Sequence, residues 1–582
     1  MKRLLFLFLT IFLYSNESCL NCHKDTSDID NFHKIKDLGC ASCHGGNINA
    51  FSKEDAHKNM VLNPARLEHA KIFCTKCHKD IVSRVNKSIM NTQSGILGVL
   101  KYQFKESKSI IKTKGIKELK NKPTSKQSLA ESHFSKLCAA CHINQKEEDF
   151  KRVTKRGGGC VDCHRESETK SKFKLEHFKH PKFTTKIKNK TCLKCHNRSN
   201  RIGLSYIGKF ESEGYNHYKG GKIDNKLDIH RSFYKLPADI HHSSAKLSCI
   251  DCHTEVGVMG DGKMHKHMEE AVDISCSDCH NPKFVDATSK PLAIKLAFIN
   301  GKVPLPKDKV AITKRKGTPL YNLQKVNNSI KFFRKSDGKE INLPLLQGPY
   351  HSHSFHKRLD CSACHSRWIP SCYGCHEVYI KNGKQFDWIK HKKTKGQWQE
   401  LRSYLRYEDS TLAIGYNGKI MPSAPGCQVI MNIYDKNGTY KHKFDSMAYA
   451  AWSPHTVGKS KKCKDCHNSS SALGIGQGVM HIKKDKIDFK PFFNSSKSGF
   501  KFKYNIDSLV DINGTQNQTF SRKNARAFNK KEINKITNAY KCIICHDRWS
   551  DKIYKEFNRS KKMFFNKKTK CAKEILDFDN KY

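Results

Sequence analysis

Twelve times along this chain, two cysteines bracket two residues and a histidine follows at once. This C-x-x-C-H pattern constrains the fold more than any other feature, because it bears on what the interior is made of. Two thiols at this spacing can add to the two vinyl groups on one porphyrin edge, and the next residue is then held under the ring with an imidazole nitrogen toward iron. Zinc knuckles and redox-active dithiols also use C-x-x-C, but neither needs a histidine after the second cysteine. Histidine is 31 of 582 residues, yet it follows all twelve pairs. The attachment thiols are Cys19 and Cys22, Cys40 and Cys43, Cys74 and Cys77, Cys138 and Cys141, Cys160 and Cys163, and Cys192 and Cys195. Cys249 and Cys252, Cys276 and Cys279, Cys361 and Cys364, Cys372 and Cys375, Cys463 and Cys466, and Cys542 and Cys545 complete the set. The adjacent histidines, expected as proximal ligands, are His23, His44, His78, His142, His164, His196, His253, His280, His365, His376, His467 and His546. The expected cofactor is haem c, in twelve copies.

Nineteen histidines remain, enough to cap every iron from the other side. Two-histidine ligation gives a six-coordinate haem that changes charge with little movement, which suits electron transfer. The expected distal ligands are His33, His57, His69, His133, His177, His180, His241, His242, His265, His356, His391 and His455. No acid–base pair or Ser–His–Asp pattern stands out, so no catalytic side chain is assigned.

Only 37% of the chain is hydrophobic and its formal charge is +52. Globular domains usually carry about 45–50% apolar residues, so side chains alone would struggle to offset the entropy of ordering this one. Porphyrin supplies the missing apolar volume. Two propionates on each haem would offset as many as ~24 of the positive charges. The remaining excess suits an acidic redox partner rather than nucleic acid.

Lys2 and Arg3 precede an apolar run from Leu4 to Tyr14, followed by Ser15, Asn16, Glu17 and Ser18. This reads as a cleaved secretory signal over 1–18, with cleavage near Ser15, and gives a periplasmic location. The run is too short to span a bilayer. A soluble protein is expected, with or without docking to an outer-membrane complex.

The first three motifs begin at 19, 40 and 74, and the next three at 138, 160 and 192. These similar spacings suggest a duplicated three-haem unit, 19–81 and 132–200, joined by a Lys- and Ser-rich linker over 82–131. His57 follows His44 by 13 residues, and His177 follows His164 by 13. They are therefore the best matched pair of distal ligands. A two-haem segment spans 201–295. A β insertion over 296–350 has turn signals at Lys316-Gly317 and Asp337-Gly338. Two haems lie close together in 351–397, and a second β insertion over 398–452 has turns at Asn417-Gly418 and Asn437-Gly438. A C-terminal two-haem segment fills 453–582. Gly474, Gly476 and Gly478 read as a plain loop, since no strand and helix frame a phosphate loop there. Cys427 and Cys571 are left over, as a disulfide, an inert buried pair, or a thiol near a haem. The fold class expected is a haem-organised multihaem cytochrome, mostly short α-helices and irregular loops with two small β insertions.

The repeated motifs, the close pair from Cys361 to His376, and Ser453-Pro454-His455 ahead of Cys463 resemble the large periplasmic multihaem c-type cytochromes. That group holds octahaem tetrathionate reductase, hydroxylamine oxidoreductase, pentahaem nitrite reductase and respiratory multihaem electron carriers. The resemblance implies electron transport, with other cytochromes or a quinol-oxidising membrane complex as redox partners. Every motif here ends in His and none in Lys, a departure from nitrite reductase, and no wide-spaced motif occurs. Both departures favour electron transfer over substrate conversion. The alternative is an oxidoreductase acting on a nitrogen or sulfur oxyanion at one open-coordinate haem.

Overall fold

Most helices here are single turns, many of them on the C-x-x-C-H motifs, and most of the sheet forms in the stretches between motifs. The computed structural model describes residues 17–146, 157–166, 180, 182–197, 202–211, 223–227, 231–297, 301–346, 351, 354–426, 430–434, 440–442, 447–483, 486–492, 504–548 and 550–574. Cys427, His177 and the Asn437-Gly438 turn lie outside these residues. Among the described residues no helix is long and apolar enough to cross a membrane. Glu17 and Ser18, placed in the signal by the 1–18 boundary, are tied into the first motifs. Glu17 accepts from the Cys40 backbone and Ser18 Oγ donates to Ala50 O at 2.7 Å. A boundary just ahead of Glu17 leaves both contacts intact.

Sheet is more extensive than two small insertions. Lys283–Asp286, Lys309–Ile312, Pro319–Val326, Ser329–Phe333 and Glu340–Ile341 form one antiparallel sheet in chain order. Its hairpins turn at Gly317, Asn327-Asn328 and Gly338, all in the left-handed region that tight turns require. A long hairpin pairs Ile369–Asp387 with Lys392–Glu408, and Ile430–Tyr434 joins it in parallel. Leu412–Ile414, Ile420–Pro425, Ala448–Ala451 and Thr519–Phe520 build a further sheet, whose first hairpin turns through Asn417-Gly418.

The stretch expected as a linker, 82–131, is packed instead. Its helices Ser94–Gln103 and Ile116–Lys120 bury Leu97, Leu100 and Leu119 against Phe104, Phe134 and Trp398. Three leucines withdrawn from water contribute roughly 1.5–3 kcal/mol each. Lysines hid this pattern, yet two of them are structural. Lys101 and Lys122 bind the buried Glu131 carboxylate at 2.7 and 2.6 Å. Gly474 caps the helix Ser470–Leu473 in the left-handed region, so the glycine run is a helix-to-strand turn.

The largest apolar cluster lies in the C-terminal half, around Tyr373, Tyr449, Leu473, Leu509, Phe528 and Ile533. It encloses an acid. Tyr373 Oη donates to Glu408 Oε2 at 2.7 Å. Burial pushes Glu408 up to about 7, with Asp507 acting in the same direction and Tyr373 and Arg406 opposing. Between about pH 4.5 and 7 the folded protein thus holds a proton that the unfolded chain has released. Stability from this site is complete below that window and is lost as pH rises through it. Glu408→Gln is expected to abolish the loss and to stabilise the protein at pH 8 by about 2–3 kcal/mol relative to its effect at pH 4. Denaturant midpoints at the two pH values check this, and an identical Gln effect at both would contradict it.

Candidate haem-attachment and ligand site

In ten motifs the two cysteines span one helical turn. The histidine N–H donates back to the first cysteine's carbonyl at 2.7–3.0 Å in eight of them, at His23, His44, His78, His164, His196, His253, His467 and His546. The helices Cys276–His280 and Cys361–His365 contain the other two. Positions i and i+3 of a turn share a face, so both thiols point to one side. Local chemistry starts several of these turns. Ser248 with Asp251, and Ser275 with Asp278, form capping boxes in which the motif's own third residue reaches back to the cap. Asp360 caps the ninth motif through Ser362 N.

Two motifs differ. The fourth lies on a π turn, Phe134–Cys138, followed by a 3₁₀ turn, Ala139–Cys141. The tenth lies in the extended strand Ile369–Asp387, with Cys372 opposite Leu405 and His376 opposite Arg402.

Among the described residues, seven motif histidines face a second histidine. The ring centroids are 6.1 Å apart for His23 and His57, 6.1 Å for His33 and His78, and 6.0 Å for His44 and His180. They are 6.0 Å for His241 and His280, 6.2 Å for His253 and His455, 6.4 Å for His351 and His365, and 6.1 Å for His356 and His467. A metal between two imidazoles, at about 2 Å from each nitrogen, requires centroids roughly 6 Å apart.

Hydrogen bonds at Nδ1 set the tautomer of many of these rings. His44 Nδ1 meets Val61 O at 2.7 Å, His164 meets Thr184 O at 3.0 Å, and His280 meets Pro344 O at 2.6 Å. His365 meets Gly458 O at 3.1 Å and His467 meets Ile536 O at 2.5 Å. Opposite them, His180 meets Ser27 O at 3.2 Å, His455 meets Ser453 O at 3.0 Å, and His241 meets Asp239 Oδ1 at 2.7 Å. An Nδ1 proton given to a carbonyl or carboxylate leaves the Nε2 lone pair free, which is the arrangement metal-bound histidines adopt. Burial, with His455 beside it, pushes His253 down to about 4, so its ring is neutral near pH 7, as a ligand must be. This donor set fits haem iron.

The facing pairs give partners that sequence spacing leaves open. His57 faces the first motif, not the second that it follows by 13 residues. His44 is met by His180, from the other three-motif unit. The two units are thus interleaved, as Leu67 N to Asn144 Oδ1 at 2.8 Å and Cys160 N to Ala65 O at 3.0 Å also show. Among the described residues no motif histidine faces His133. Its Nε2 contacts Glu377 Oε2 at 2.9 Å, since a buried carboxylate competes for the same ring atom. His265 lies between Asp261 at 3.0 Å and Glu270 at 3.5 Å, so carboxylates face both ring nitrogens. His69 donates Nδ1 to Asn63 O at 2.8 Å, like the paired rings, without a facing motif histidine among the described contacts. His242 packs on Tyr206 at 5.2 Å, and His391 lies beside His142. His142 is buried, and its Nε2 has no hydrogen-bond partner. His351 was missed by sequence reasoning. It stands in the cluster His351, His353, His356 just ahead of Cys361, where only His356 was chosen.

Attachment thiols of successive motifs also adjoin. Cys19 and Cys40 lie within 4.8 Å of each other, with Glu17 between. Cys74 has Cys43 and Cys160 beside it, and Cys163 has Cys192. Cys192 and Cys249 share a hydrogen bond, as do Cys276 and Cys361. Cys252 adjoins Cys279, and Cys364 adjoins Cys466. Cys463 Sγ donates to Asp547 O, next to His546, at 3.1 Å. Motifs one, two, three, five, six, seven, eight, nine, eleven and twelve therefore follow one another in space. The fourth lies beside the third through Asn144 Nδ2 to Glu68 at 2.7 Å, and beside the fifth through Gly159 N to Ile143 O at 3.0 Å. Exposed apolar side chains crowd the same places. Leu20 and Ile544 lie inside motifs, Phe32 adjoins His33, and Leu38 and Ile72 each stand two residues before a motif cysteine. Porphyrin is the apolar surface of the right kind to cover them. Cys571 lies near Cys542, with its thiol 3.5 Å from Thr569 Oγ1. No family model, curated protein or solved structure matches this chain, so its site is read from its own residues.

Proposed function

We propose that this chain is an exported twelve-haem c-type cytochrome that carries electrons in anaerobic-type respiration. Covalently held haem supplies a one-electron iron couple wherever it is bound. The chain's own residues would attach it through paired thiols and present imidazole lone pairs from both sides. The observation that carries this reading is the set of seven facing histidine pairs at 6.0–6.4 Å, each containing one motif histidine. The unbroken adjacency of ten attachment sites favours a conduit over one active centre. The positive surface suits acidic redox proteins as partners.

Optical and EPR spectra of the purified protein test this. The expected result is low-spin haem throughout the seven paired sites, unchanged by small anions. A second reading, an oxidoreductase for a nitrogen or sulfur oxyanion, draws on the fourth motif. There the α-turn gives way to π and 3₁₀ turns, and the nearby His133 is held by Glu377. It predicts a high-spin component that shifts on adding nitrite, hydroxylamine, tetrathionate or sulfite. Low-spin spectra inert to all four exclude it, and spectra dominated by high-spin haem would overturn the conduit reading.

A further inference from the structure

The antiparallel sheet over 283–341 does more than fill a gap between motifs. Lys314 N donates to Asp278 Oδ1 at 3.0 Å, and Lys335 N donates to Asp251 Oδ1 at 2.6 Å. The sheet thus clamps the capping aspartates of the seventh and eighth motifs. At the second clamp, the turn after Ser329–Phe333 carries the Lys335 side chain inward. Its Nζ donates to Ile250 O at 2.6 Å, inside the seventh motif, and lies 4.8 Å from the Tyr321 ring centre. Lys335 is only 8% exposed. The groups facing it are Asp251, Cys252 and His253 of the seventh motif and Cys279 of the eighth. Burial lowers the Lys335 ammonium below its usual range, while the acidic groups around it raise it.

A buried ammonium is costly, and the wet surface of this chain has lysines in abundance, so its placement between two attachment sites calls for a role. We infer that Lys335 is a positioning residue for charge, whose fixed cation raises the reduction potentials of the haems held by the seventh and eighth motifs. The inference rests on the haem reading above. Reduction lowers the charge of an iron centre by one, and a nearby cation in a poorly screened interior favours that change. These two motifs lie mid-way along the spatial series of ten, so Lys335 sets the level at which electrons rest in the middle of the conduit.

Potentiometric titration of the full-length protein tests this. Lys335→Met is expected to shift two of the twelve components to lower potential, with the reduction equilibrium of the nearer falling about tenfold, or ~59 mV for one electron. Lys335→Arg keeps the charge and should restore most of the shift. Asp251→Asn removes the opposing charge yet keeps a cap acceptor, so it should move the same components upward. It serves where the methionine variant does not fold. Titration curves unchanged in Lys335→Met, or an Asp251→Asn shift in the downward direction, overturn the role of Lys335. Mass spectrometry of the same samples separates that outcome from failure of the haem reading, which would show as a bare polypeptide.

Discussion

Cys249→Ser with Cys252→Ser is expected to collapse the middle of the molecule, not to leave an otherwise intact protein short of one haem. The seventh motif touches the sixth through Cys192 and the eighth through Cys279, and it anchors the sheet through Asp251. The local apolar cluster is small, with Leu247, Ala311, Leu320, Leu323 and Phe332 as its buried members. Where ligand attachment supplies the interior, its loss appears as folding free energy. We expect a cost of at least about 5 kcal/mol, comparable to the whole stability of an ordinary domain. Protease resistance and yield of soluble protein measure it. A double variant with the parent's unfolding midpoint would show that side chains alone hold this region.

His455→Ala is expected to act on the iron site and spare the fold. His455 faces His253 at 6.2 Å with ring planes 9° apart, and its Nδ1 is spent on Ser453 O. Removing the ring leaves the proximal ligand and thioethers in place, so the attached haem should remain while its spin state changes. One high-spin component should appear in EPR. Because the seventh motif stands in single file between the sixth and eighth, electron passage between the two ends should slow by more than about tenfold, equivalent to ~1.4 kcal/mol or more. Retention of a fully low-spin spectrum would mean that another group reaches the iron, and that the pairing of His253 with His455 is not the ligand set.

The candidate attachment sites were legible in the sequence because C-x-x-C-H is a local pattern, and in ten of them the structure places both cysteines on one turn. Even its departures were hidden. Nothing in Cys372-Tyr373-Gly374-Cys375-His376 announces a strand, and its conformation is set by pairing with Lys392–Glu408. The histidines facing motif histidines come from distant parts of the chain, and spacing is a poor guide to them. The 13-residue offset of His57 from His44 is real, yet tertiary packing turns His57 to His23 and brings His180 to His44. The packed helices over 82–131 escaped notice for a different reason. Their leucines sit among lysines that raise the polarity of every window, although Lys101 and Lys122 both pair with the buried Glu131. His133 and His265 drew attention as spare imidazoles, and nothing in their neighbouring residues marks Glu377 as the distant carboxylate that occupies His133.

Intact mass and iron content of the mature protein, produced in a host able to attach haem, test the central claim most directly. The account predicts a polypeptide heavier than its sequence by twelve haem groups, with twelve irons and no zinc. A mass equal to the bare chain, or zinc in place of iron, would contradict it.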